Sequence, residues 1–151
     1  MKLLKAIDEL ESYINKRTLS NEAVSKSTIG WQISHALKVL YGVTKTIAKS
    51  NPEDYKWHFN FKRMVILTTK TIPKGKAKAP KAVRPVEEDV TEEALLGFIQ
   101  KSKAAIENTL TCEPNAYFEH PYFGLLNRDN AILFLEIHTE HHLKIIRNIA
   151  K

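Results

Sequence analysis

Apolar residues recur at a helical interval from the first turn of the chain. In "LLKAIDELESYI", Leu3, Ile7, Leu10 and Ile14 stand three or four apart with charged residues between them, which predicts an amphipathic helix. "TLSNEAVS" then supplies turn and cap residues. A longer periodic stretch, from about Ser27 to Lys49, sets Ile29, Ile33, Leu37, Leu40 and Ile47 on one stripe. Trp31, His35, Val39 and Gly42 form a neighbouring stripe. Gly30 and Gly42 lower helix propensity here, and the expected return is close packing.

"SNPED" breaks this helix. Residues 55–72 are ambiguous: "FKRMVILTTKTI" is β-branched enough for a strand, but it has no evident partner strand and is read as a short helix. Three prolines among lysines and alanines make 73–89 a long, mobile surface loop. A helix restarts with Thr91 as N-cap and Glu92 and Glu93 at its positive end, burying Leu95, Leu96, Ile99 and Ile106. "CEPNAYFEHPYFG" reads as a break. A last helix runs from about Asn127 to the end, with Leu133, Ile137, Ile145, Ile146 and Ile149 as its apolar face. Four substantial helices and one short one predict an all-α four-helix bundle in a single domain over 1–151, with a long connection between the second and third long helices.

The 151 residues suffice for one core, and no apolar run approaches a membrane span. No secretory signal is visible and the one cysteine, Cys112, has no internal partner, so a cytoplasmic protein is expected. The formal charge of +6 belongs mostly to "KGKAKAPKAVR", residues 74–84; without its Lys74, Lys76, Lys78, Lys81 and Arg84 the rest carries +1. That segment lacks interleaved aromatics, and a solvated loop is favoured over nucleic-acid contact.

The chemistry concentrates in "EIHTEHH". His138 and His142 are four apart, so their rings leave one face of a helix and can converge on an ion. His141 points about 100° from His142 and cannot easily join them. His35, mid-helix among apolar neighbours, can supply a third imidazole. Three neutral imidazoles with an open position suit a catalytic zinc or nickel site, and iron, manganese and cobalt also accept imidazole. The competing reading has His35 hydrogen-bonded in the core and the pair lining a polar pocket without metal. His120, Trp31 and Tyr122 are candidates for the pocket around the ligands. For His120 the alternative is a packed turn set by Pro121 and Gly124, and for Trp31 it is core packing. Glu140 should point away into solvent.

"STIGWQISHALKVLYG", "FEHPYFGLLNRDNA" and "EIHTEHHLKIIRNI", in this order along the chain, resemble the DinB-like superfamily of metalloenzymes. The resemblance is greatest to its branch with a His-Pro…Gly segment before a final His-x-x-x-His helix. It implies an up-up-down-down four-helix bundle and a divalent metal held by His35, His138 and His142. Some members transfer low-molecular-weight thiols or act on thiol adducts, which makes a metal-dependent transferase or hydrolase of a small molecule the leading expectation. A helical metal- or ligand-binding protein without turnover, and nucleic-acid binding through residues 74–84, are the alternatives. Pairing into a homodimer is a further expectation.

Overall fold

The computed structural model describes residues 1–73 and 79–151 of the chain. Its long helices are α1 (Lys2–Ser12), α2 (Ile29–Lys49), α4 (Glu92–Thr111) and α5 (Arg128–Ile149), with the shorter α3 (Phe61–Thr69) between α2 and α4. A two-stranded antiparallel sheet, β1 (Tyr117–His120) and β2 (Gly124–Asn127), precedes α5. The fold is therefore mostly helical, and the segment expected to be only a break is a hairpin.

The periodic stripes become the core. Leu3, Ile7, Leu10 and Ile14 are buried, the last in a short 3-10 turn after α1. From α2 come Ile29, Ile33, Leu37, Leu40 and Ile47. On α4 the buried row is Leu95, Ile99, Ser102, Ile106 and Thr109, which turns Leu96 outward, 41% exposed, against expectation. On α5 the core takes Ala131, Phe134, Leu135, Leu143 and Ile146, while Leu133 and Ile145 are only partly buried. Burying such side chains supplies about 1.5–3 kcal/mol each, which is why the periodicity predicts the helices so well. In the packing, α2 and α1 each lie against both α4 and α5.

Side-chain caps fix the starts. Thr28, Asn60, Thr91 and Asn127 each accept the backbone N–H three residues on. Asn60 explains why the ambiguous stretch is a helix: its carbonyl side caps α3, while its Nδ2 donates to the Tyr122 carbonyl in the hairpin turn at 3.1 Å. Buried Arg63 adds donations to the carbonyls of His58, Phe123 and Leu125, so α3 and the hairpin hold one another. Gly30 meets the expectation of close packing, since a Cβ there would stand 3.0 Å from the Arg17 carbonyl oxygen; Gly42 does not, because nothing lies within 4 Å.

The stretch read as a mobile loop is built in its described part. Lys81–Val83 and Glu87–Val90 form 3-10 turns against α2, and Lys38 of α2 pairs with Asp89. Lys74, Lys76 and Lys78, the centre of the basic segment, lie outside the described residues. Glu140 is not simply solvated: Arg147 bridges it at 2.7 Å and reaches Glu9 of α1 through Nε and Nη2, both at 2.7 Å. No described helix is long and apolar enough to cross a membrane.

Candidate metal centre

His35 projects from the second turn of α2, and His138 and His142 from the second half of α5. The helical stripes bring them together: one nitrogen from each ring lies within 4.8 Å of the others. Ring centroids are 4.6 Å apart for His138 and His142, 4.8 Å for His35 and His142, and 5.4 Å for His35 and His138. His141 packs edge-on against His142 at 5.2 Å and is not one of the converging three.

Two of the imidazoles have their tautomer set by neighbours. His35 Nδ1 donates to the Val83 carbonyl at 2.8 Å, because a carbonyl can only accept. Its Nε2 must then carry the lone pair in the neutral ring. His142 Nδ1 meets Gln32 Oε1 at 2.6 Å, and Gln32 is itself buried on α2. The amide is oriented by its other end, since Gln32 Nε2 donates to Ser25 Oγ at 3.2 Å. His142 Nε2 is likewise left as a lone pair. An acceptor behind each ligand imidazole is what a metal-bound histidine requires, both for its tautomer and for its basicity.

His138 differs. Its Nδ1 is buried and makes no hydrogen bond. A buried polar atom without a partner costs about 1–3 kcal/mol, and a cation among the three rings would relieve part of that cost. By surface area His138 is half-buried, whereas His35 and His142 are buried.

Electrostatics favour the neutral rings that ligation needs. Burial pushes His35 below the ordinary histidine value, although the Val83 hydrogen bond opposes it. Burial, then the nearby histidines, drives His138 and His142 well below that value. Rings that shed protons this readily stay neutral lone-pair donors across the physiological range. The residues present thus fit a divalent cation with imidazole ligands.

Of the pocket candidates, Trp31 stacks on His35, with centroids 5.0 Å apart and planes 12° apart, and walls the cluster. His120 is one ring removed: it meets Phe134 at 4.9 Å, and Phe134 meets His138 at 5.7 Å. His120 Nδ1 accepts the N–H groups of Tyr122 and Phe123, and the ring stacks on Phe123 at 4.2 Å. It locks the hairpin turn that Gly124, at φ +66°, closes. Tyr122 stands on that turn, 56% exposed, with Lys62 over its ring, and makes no ring contact with the cluster. Sequence reasoning missed Gln32 and Val83. Gln32 carried a signal, as a polar residue three before His35 and so on the adjoining face of α2; a backbone carbonyl carries none.

Comparison with known proteins agrees with this architecture. No curated protein and no solved structure matches the chain. The family model described as the DinB superfamily matches residues 2–146, which takes in α1 to α4, α5 as far as Ile146, and all three clustered histidines. The chain belongs to the DinB superfamily.

Proposed function

We propose that the protein is a metal-dependent enzyme acting on a small molecule, with His35, His138 and His142 as the ligands of one divalent ion. The carrying observation is the pair of acceptors, the Val83 carbonyl and Gln32 Oε1, that turn two lone pairs toward the place where the third ring lies. A core that merely buried three histidines would not need both tautomers set the same way. A metal held by His35, His138 and His142 would supply Lewis acidity, lowering the pKa of a water or thiol bound to it. The protein's own part is to orient the rings and to exclude water through Trp31 and Phe134. Transfer of a thiol, or hydrolysis, is the reaction class that this arrangement and the family resemblance favour. Zinc and nickel suit three imidazoles best, with iron, manganese and cobalt next. The packing of α1 mainly against α4 and α5 supports the up-up-down-down connection.

The test is metal content together with turnover. Untagged protein purified without chelator carries close to one divalent ion per chain by mass spectrometry. Removing it abolishes activity on a panel of thiol adducts, esters and amides, and returning it restores activity. A chain that holds the ion and turns over nothing would be a metal-binding protein without catalysis. A chain that holds none would end the proposal.

A further inference from the structure

Beside the histidine cluster lies a cavity of about 260 Å³ with a lining of unusual charge. Its floor is apolar, from Ile72, Pro73 and buried Ile137. Around it stand Lys70, Lys144 and His141. Ile137, His141 and Lys144 form one row on α5, next to the row that carries His138 and His142. His141 touches both places, lining the cavity and packing on the His142 ring.

Neither lysine forms an ion pair with a described carboxylate. Two exposed ammonium groups at one apolar cavity, neither of them paired with a described carboxylate, leave a positive potential that an anion satisfies. The backbone gives an independent sign. Lys70 ends α3 in the left-handed conformation, φ 53° and ψ 34°, and is the one non-glycine residue with positive φ among the described residues. Glycine is the residue that such a helix end favours, since a Cβ is disfavoured there. Lys70 takes that conformation in place of the usual glycine, and its side chain lines the cavity.

We infer that this cavity holds the anionic end of the small molecule on which the histidine-bound metal acts: an oxyanion, carboxylate or phosphate, on a short apolar body. The lysines take the oxyanion, Ile72, Pro73 and Ile137 take the apolar body, and the reactive end extends past His141 toward the cluster. This rests on the metal-dependent reading above, and it adds the charge and shape of the substrate.

The experiment uses the full chain and two matched probes, hexanoate and its neutral counterpart hexanamide, titrated by NMR. Hexanoate should bind at least about tenfold more tightly, as expected for a charge-assisted contact, with shifts at residues 70–73 and 137–144. Butyl phosphate in its place shows which oxyanion is preferred. Lys144→Gln and Lys70→Gly should each weaken the anion several-fold. Lys70→Gly should do so with an unchanged or higher melting temperature, which separates binding from folding. Equal affinity for the two probes, or indifference to both substitutions, overturns the inference. A second arm links cavity to metal: with paramagnetic Co(II) bound, the protons of hexanoate should broaden. Binding without broadening also overturns it, because the cavity would then lie apart from the chemistry. Failure of Co(II) to bind at all counts against the metal reading instead, and the metal-free titration distinguishes the two failures.

Discussion

The histidine cluster and the His120 turn are built from the same side chain and are joined through one ring, that of Phe134. They differ in what faces Nδ1. Behind His35 and His142 it is an oxygen acceptor, so Nδ1 keeps the proton and Nε2 offers a lone pair. Beneath His120 it is a pair of backbone N–H donors, so Nδ1 gives its lone pair to the turn and the neutral ring carries its proton on Nε2. Burial lowers the pKa at both places, to about 4 for His120. Burial and neutrality therefore do not distinguish a ligand from a structural histidine. The polarity of the partner on Nδ1 separates His35 and His142 from His120, while His138, whose Nδ1 has no partner, is grouped with the first two by its place among the converging rings.

The most drastic way to break this contrast is to exchange the ligands. His138→Ala with His142→Ala should remove nearly all bound metal, whereas His120→Ala should leave occupancy close to that of the parent. Full retention by the double variant, measured by mass spectrometry, would reverse the assignment of roles.

Acidification comes next. Metal needs the neutral rings, so occupancy should be lost on acidification, at a pH below the ordinary histidine value because burial already lowers these rings, and regained on neutralisation. In the metal-free protein the sign follows from the lowered native values. Below the ordinary histidine value of 6.5 the unfolded chain binds protons that the native rings refuse. Stability is therefore full above that pH and declines below it, for His120 down to about pH 4. Denaturant midpoints between pH 7.5 and about pH 4.5 would check this, and a midpoint that rises on acidification would contradict it.

A smaller effect sharpens the contrast from behind the ligand. Gln32→Leu removes the acceptor of His142 without touching a ligand, and metal affinity should fall about 10–100-fold. Competition with a chromogenic chelator measures this. The smallest effect is in the turn: His120→Ala removes the acceptor of two turn N–H groups, one of them exposed, together with the stacking on Phe123, and should destabilise the fold by about 1 kcal/mol, read from the shift in denaturant midpoint.

The same contrast marks what was legible in the chain. The long helices and the shared face of His138 and His142 follow from periodicity, because core burial enforces one face per helix; that His35 meets them is what the family resemblance implies. Thr91 announces its cap by residue type. The hairpin does not announce itself: each strand has four residues, and "YFEH" shows no clean apolar alternation. It is held instead by Asn60 and Arg63, about sixty residues away in the chain. Leu96 was misplaced because the buried row steps 95, 99, 102, 106 and includes Ser102, a polar residue that hydropathy does not flag.

One consequence follows from the Val83 carbonyl that orients His35. The contact is made by an atom common to every residue type, so substitutions at position 83 leave it in place as long as the backbone path is kept. A scan of point mutations would therefore score this position as permissive. Insertions and deletions between residues 79 and 90 would not be tolerated so easily, since they move the carbonyl away from α2. In lineages of this protein, the length of that connection, rather than its spelling, is what selection on the site would hold constant.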